Sequence, residues 1–112
     1  MFIILLDEPT LFVFDSEEAV RGDIEPPDAE SEVRAIFDDR AIPYRVEWVR
    51  PNLHRKWFFG LGSVTFGEYR LMPCGEPDRS GLIRLLEEHG KWVHPPSFKE
   101  SLAKLLEQLR QK

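Results

Sequence analysis

One cysteine and three histidines are the side chains of this sequence most suited to nucleophilic or metal chemistry. Cys74 lies in a Pro-Cys-Gly turn shortly before a predicted helix start at Asp78, and a nearby helix N-terminus activates a thiol. This placement favours an exposed nucleophile that a histidine would have to assist, although a lone cysteine is also commonly inert. His54, His89 and His94 form no i, i+4 pair and accompany no cysteine pair, so we expect no zinc site.

The remaining patterns for catalysis are weaker still. Gly60 and Gly62 lack the third glycine of a dinucleotide-binding loop, and no lysine occupies the P-loop position. A pair of carboxylates for acid–base work, in a cleft between sheet and helices, can be drawn from the 20 acidic residues, yet no spacing singles one out. We therefore expect no cofactor, and an enzyme that uses Cys74 or a carboxylate pair stays an alternative to a protein without catalysis.

Carboxylates are crowded between positions 15 and 32, which we call the acidic segment. Residues 1–40 carry 12 acidic and three basic residues, whereas residues 41–112 carry eight acidic and 12 basic residues. Because like charges repel, a folded protein keeps such a cluster at a solvated surface. The segment indicates either a solvated acidic face or a docking surface for a basic protein. In the second case its charge would speed the encounter with that protein. Its carboxylates are Asp15, Glu17, Glu18, Asp23, Glu25, Asp28, Glu30 and Glu32, and Arg21 is its one base.

A basic and aromatic stretch follows, with Arg45, Arg50, Arg55, Lys56 and Trp57. Basic side chains beside aromatic rings can follow a nucleic-acid backbone and stack on bases. The same residues can instead neutralise the acidic segment within the molecule, and the net charge of −5 argues against a dedicated nucleic-acid binder. Trp57 serves either as a lid over the core or as an anchor of a protein interface.

Apolar runs predict strands on the N-terminal side of the acidic segment. Residues 1–6 and 11–14 are each typical of a buried strand, and the Asp-Glu-Pro-Thr sequence between them predicts a turn. Asp15 is typical of a helix N-cap, and Glu18 would complete the capping box of a short helix. Pro26 and Pro27 predict an extended loop.

The middle of the chain predicts a hairpin. Residues 32–37 and 44–49 both alternate with a period of two, and a short polar turn joins them, which favours an antiparallel pair. Residues 57–65 contain two glycines and predict a bulged strand or a wide hairpin loop. Residues 66–72 return to strand character.

The last third predicts two helices. Asp78 or Ser80 caps the first, which Gly90 closes, and Ser97 with Glu100 gives a capping box for the second. The second helix buries one apolar stripe, formed by Phe98, Leu102, Leu105, Leu106 and Leu109. The sequence therefore predicts one α+β domain over residues 1–112: a mainly antiparallel sheet of four to five strands, a short helix after strand two, and two C-terminal helices packed on the sheet.

Three stretches of the N-terminal part carry a family resemblance. Phe12–Ala19, Ile24–Asp28 and Ala35–Asp38 resemble small uncharacterised bacterial proteins, some of which look like immunity proteins encoded beside secreted toxins. The resemblance covers less than half of the chain, which departs from the pattern by an extra N-terminal apolar strand. It implies a bacterial cytoplasmic protein that works by binding, and it brings no catalytic residues.

The N-terminus and the free thiol agree with that localisation. Phe2–Leu6 is too short to span a membrane and has no basic region before it, so we expect neither a membrane segment nor a signal peptide. The leading hypothesis is a small cytoplasmic protein-binding module, an immunity-type inhibitor that occludes a toxin with a basic surface. The residues assigned to the partner are Asp15, Glu17, Glu18, Glu25, Asp28, Glu30, Glu32 and Trp57.

Overall fold

The computed structural model describes residues 1–7, 9–56, 62–65 and 67–111, without the side chains of residues 53–56 and 62–65. The first half of the described chain contains two short helices between short strands, and the last third is mainly helical. In chain order the elements are β1 (Phe2–Leu5), β2 (Leu11–Phe14), α1 (Glu17–Asp23), α2 (Pro26–Ser31), β3 (Ala35–Asp38), β4 (Tyr44–Arg50), β5 (Leu53–Lys56), β6 (Gly62–Thr65), β7 (Glu68–Pro73), α3 (Arg79–His89), β8 (Val93–His94), a 3-10 turn (Pro96–Phe98) and α4 (Lys99–Arg110).

A mixed four-stranded sheet lies at the centre of the fold. Its strand order is β3-β1-β2-β8, with β1 antiparallel to both β2 and β3, and β8 parallel to β2. The apolar runs of β1 and β2 occupy the two middle positions, where both faces of a strand are covered. The structure therefore confirms the α+β class and the buried N-terminal strands.

Each face of the sheet carries its own apolar core. Successive side chains of a strand point to opposite faces, so the fully buried Ile3 and Ile4 belong to different cores. The first core lies between the sheet, α3 and α4, and the second lies between the sheet, α1, α2 and the β4–β7 pair. The first core contains Ile3, Leu11, Val13, Phe37, Ala41, Leu82, Leu85, Leu86, Val93, Leu102, Leu105 and Leu109. The second contains Ile4, Val20, Ile24, Ala29, Ile36, Tyr69 and Leu71.

Strands β4 to β7 form a two-part antiparallel ribbon. β4 pairs with β7, with a register shift between Trp48 and Arg50, and β5 pairs with β6. Gly67 lies where the two parts meet, and a Cβ at this position would overlap the Arg50 carbonyl. The close approach of the two backbones therefore requires glycine. The hairpin loop or bulge predicted for residues 57–65 is described only for β6; residues 57–61 lie outside the described part.

The predicted hairpin between β3 and β4 is wrong. An isolated antiparallel bridge joins Phe37 to Pro43, the residue before β4, but the strands themselves pair elsewhere, β3 with β1 and β4 with β7. The buried Asp38 carboxylate holds the turn between them, accepting hydrogen bonds from two backbone N–H groups at 2.8 and 3.1 Å and from the Tyr44 hydroxyl at 3.1 Å. A period of two specifies which side chains share a face, but it does not specify the neighbouring strand.

Two predictions for the acidic segment also need correction. The N-cap of α1 is Ser16 and not Asp15, because the Ser16 hydroxyl accepts a hydrogen bond from the Ala19 N–H at 3.1 Å. Pro26 and Pro27 do not form an extended loop but the first turn of α2. The N–H groups of the first helical turn have no acceptor within the helix. A proline there, which has no N–H, therefore removes no helical hydrogen bond.

The C-terminal helices follow the prediction more closely. Asp78 caps α3 by accepting from the Gly81 N–H at 2.9 Å, and Gly90 closes it. Leu102, Leu105 and Leu109 are buried, as the apolar stripe predicts. The Ser97 capping box is wrong, because the chain enters α4 through the 3-10 turn, without a side-chain cap. Of the helices in the described part, none is long and apolar enough to cross a membrane.

Candidate protein-binding face

The acidic segment folds into α1 and α2, which lie on the second core. Val20, Ile24 and Ala29 are the buried residues of this segment. Because Val20 and Ala29 occupy the inner sides of α1 and α2, most carboxylates of the segment lie on the outer side. Glu17 and Asp28 are half-buried, and the exposed carboxylates are Asp15, Glu18, Asp23, Glu25, Glu30 and Glu32.

The ion pairs described for three arginines lie outside the acidic segment. Arg34 binds Asp7 at 2.7 Å, Arg45 binds Glu47 at 3.4 Å and Arg110 binds Glu87 at 3.1 Å. Like charges that keep no internal partner raise the electrostatic energy of the folded state and remain available to an external cation. In the part of the chain that the structure describes, no ion pair involves Asp15, Glu18, Asp23, Glu25, Asp28 or Glu32.

Two carboxylates of the segment have structural roles instead. Glu17 accepts a hydrogen bond from the Leu71 N–H at 2.6 Å, which ties α1 to the edge of β7. Glu30 accepts one from the Asn52 side chain at 2.7 Å. Because both groups already bind the protein itself, the carboxylates best suited to an external partner are the remaining ones.

Asn52 connects the acidic helices to the ribbon. Its amide nitrogen donates to the Pro26 carbonyl at 3.0 Å as well as to Glu30, and its oxygen accepts from the Gly67 N–H at 2.8 Å. The residue is 8% exposed, so these bonds satisfy a buried amide. The sequence reading missed this role, since the one available signal was a Pro-Asn pair, which is typical of any turn.

Tyr69 ties the end of α1 to the ribbon. Its hydroxyl donates to the Ile24 carbonyl at 2.6 Å, one of the groups that a helix C-terminus leaves without an internal partner. Burial raises the pKa of Tyr69 to about 12; the Arg21 charge acts in the opposite direction, while Asp28 and Glu17 raise it further. The neutral hydroxyl is therefore the form that the fold selects.

The basic and aromatic stretch is described only in part. Arg45 and Arg50 are exposed, and Arg45 is paired with Glu47 at 3.4 Å. Trp57 and the side chains of Arg55 and Lys56 lie outside the described part, so the assignment of Trp57 to the partner stays a prediction. Of the other tryptophans, Trp48 packs edge-on against Tyr69, whereas Trp92 is 51% exposed.

The residues predicted to do chemistry are dispersed. Cys74 is exposed just after β7, and the described contacts bring no histidine or carboxylate to its thiol. His89 lies 3.0 Å from the Pro9 carbonyl, and the ring of His94 packs against Phe12. Among the described residues, no three side chains of histidine, cysteine, aspartate or glutamate are grouped to hold a metal ion.

Comparison of the chain with family models, curated proteins and solved structures finds no match. The case for a function therefore rests on the residues and their geometry.

Proposed function

We propose that this protein is a protein-binding module, an immunity-type inhibitor whose acidic α1–α2 face occludes a basic site of a toxin. The observation that carries the proposal is the set of outward carboxylates without an ion pair among the described residues. This set contains Asp15, Glu18, Asp23, Glu25, Asp28 and Glu32. A basic partner would reduce the repulsion among these carboxylates, which makes the free energy of binding more favourable.

The charge of the segment also favours rapid association. Eight acidic residues and one basic residue give the acidic segment a net charge of −7. Complementary charge raises an association rate constant from about 10⁵–10⁶ to 10⁸ M⁻¹s⁻¹ or more at low salt. An inhibitor that must capture a toxin before the toxin acts benefits directly from this rate.

The alternatives have less support. An enzyme at Cys74 needs a base that the described contacts do not bring to the thiol. A nucleic-acid binder built on Arg45, Arg50, Arg55, Lys56 and Trp57 loses part of its charge to the Arg45–Glu47 pair.

The test is binding to the product of the neighbouring gene in the source genome, measured by surface plasmon resonance over a range of salt concentrations. The acidic-face variant combines Glu18→Lys, Glu25→Lys and Glu32→Lys and leaves the structural Glu17 and Glu30 intact. A matched control combines Glu68→Lys, Glu76→Lys and Glu107→Lys, three exposed acidic residues outside the segment. We expect the first variant to lower the association rate at least about tenfold and to weaken its salt dependence, and the control to change the rate about twofold or less.

Three results would contradict the proposal. Equal losses in both triple variants would mean that total charge acts without a defined face. Tight binding that neither variant nor salt alters would remove the acidic face from the interface. Absence of binding to the neighbouring product would reject the toxin-inhibitor assignment itself.

A further inference from the structure

A groove runs between α3 and α4, on the side of the central sheet opposite the acidic segment. Its volume is about 350 Å³, within the range of ligand-binding clefts. Leu86, Leu102 and Leu106 form its apolar floor together with Ala103, and cationic side chains stand at its rim. Leu86 and Leu102 are core residues at 3% exposure, so the floor is fixed by the packing of the first core.

One stripe of α4 supplies most of the groove. Lys99, Ala103, Leu106 and Arg110 follow one another at intervals of four, three and four residues, which places them along one side of a helix. The stripe extends over about 16 Å at the usual rise of an α-helix. It thus presents a cation at each end and small or apolar groups between them.

The charge at the rim is positive and only partly compensated. Arg110 binds Glu87 at 3.1 Å across the groove. Lys91 and Lys99 are exposed, and neither makes an ion pair among the residues that the structure describes. An occupant of this groove must therefore offer an apolar centre with carboxylates beside it.

We infer that this groove binds an acidic amphipathic helix of another protein. Helices dock into grooves through apolar side chains spaced i, i+3, i+4 and i+7, and about three helical turns match the length of the stripe. A second copy of this chain fits less well, because antiparallel packing of two α4 helices would bring Lys99 of one copy towards Arg110 of the other. Like charges in such positions disfavour the contact.

The experiment uses the full chain and a fluorescein-labelled helical peptide. The peptide has leucines at the helix-in-groove spacing and glutamates at both ends of that stripe, and a second peptide carries lysines in place of the glutamates. We expect fluorescence anisotropy to show micromolar binding of the acidic peptide that weakens with salt, and binding of the basic peptide at least about tenfold weaker. Sedimentation of the free protein, which we expect to be monomeric, tests self-association.

Ala103→Glu should abolish binding. Ala103 is exposed, and a glutamate there fills the middle of the groove with a larger side chain that has the same charge as the glutamates of the peptide. Lys91→Glu combined with Lys99→Glu is a second variant that changes only exposed positions, and it should weaken binding at least about tenfold. Ser101→Glu is the matched control, since it adds the same charge at an exposed position of α4 outside the groove, and it should bind like the unaltered protein. Circular dichroism verifies the helical content of each variant.

The inference is overturned if the two peptides bind alike, or if Ser101→Glu weakens binding as much as Ala103→Glu does. It is also overturned if dodecanoate competes with the peptide at equal affinity, which would identify a site for small amphiphilic carboxylates. A dimer that Ala103→Glu dissociates would identify a second copy as the occupant. None of these outcomes bears on the acidic face, which the neighbouring-gene experiment tests separately.

Discussion

The two layers that cover the central sheet are stabilised in different ways. α3 and α4 have 11 and 12 residues and bury leucines at helical spacing. α1 and α2 have seven and six residues, and helices of this length are unstable without tertiary contacts. They are tied to the ribbon by polar side chains from distant parts of the chain: Glu17 to the Leu71 N–H, Tyr69 to the Ile24 carbonyl and Asn52 to the Pro26 carbonyl. The layer that carries the acidic face therefore combines a smaller apolar core with long-range hydrogen bonds, whereas the other layer depends mainly on packing.

The same two layers also differ in charge. The acidic segment has a net charge of −7, whereas residues 79–111 carry six basic and four acidic residues. The two layers lie on opposite faces of the sheet. The proposed toxin contact and the proposed helix groove therefore use separate residues.

Leu82→Ala should have the largest effect on stability, because it breaks the packed layer. Leu82 is fully buried in the first core, and the truncation leaves a cavity that lowers the free energy of unfolding by about 3 kcal/mol. Urea unfolding followed by circular dichroism measures the loss. The control Val49→Ala removes methyl groups from a side chain that is 59% exposed and should change stability by less than about 0.5 kcal/mol. Similar small losses for both variants would show that packing does not dominate the α3–α4 layer.

Asn52→Ala should destabilise the α1–α2 layer and lower the free energy of unfolding by an intermediate amount. The substitution leaves the Gly67 N–H without its acceptor and the Pro26 carbonyl without a donor, so we expect a loss of about 2 kcal/mol. Gln108→Ala removes an exposed amide and is the control. Hydrogen exchange should accelerate at Gly67 and in α2 more than in α3. Equal acceleration of hydrogen exchange in α2 and α3 would mean that the Asn52 hydrogen bonds do not stabilise the α1–α2 layer in particular.

Tyr69→Phe should have the smallest effect at neutral pH, a loss of about 1 kcal/mol for one hydrogen bond. The pKa of Tyr69 is about 12 in the folded protein against an ordinary value of 10.0, so folding favours the neutral hydroxyl. Its contribution is present in full below pH 10 and is lost as the pH rises towards 12. Unfolding free energies measured across this range should fall more steeply for the unaltered protein than for the variant. Parallel curves would exclude the buried hydroxyl as the origin of the difference.

Much of the fold could be predicted because its signals are local. Asp78 and Gly90 mark the ends of α3 through cap chemistry within a few residues, and the leucines of α4 reveal its buried side through their spacing alone. The prolines of α2 misled the prediction because proline is excluded from helix interiors but accepted in the first turn. The start of α1 depends on which of two adjacent polar residues, Asp15 or Ser16, accepts a hydrogen bond from the first free N–H groups of the helix.

The candidate face could be predicted in outline but not in detail. Crowded like charges must lie at a solvated surface, and the structure places these carboxylates there. Which of them remain available depended on partners far along the chain, since Glu17 binds β7 and Glu30 binds Asn52. Neither contact has a sequence signature, because a glutamate that accepts a hydrogen bond from a distant residue looks like any other glutamate in the sequence.

By itself the sequence determined the periodicities, and with them the inward side of β1, β2 and α4, and the uneven distribution of charge along the chain. Only the tertiary structure decided that β3 pairs with β1, that β4 pairs with β7, and that β8 joins the sheet in parallel. The physical reason is that a periodicity reports the local alternation of apolar and polar groups. Strand partners are chosen by the total burial and hydrogen bonding of the whole chain, to which many distant residues contribute.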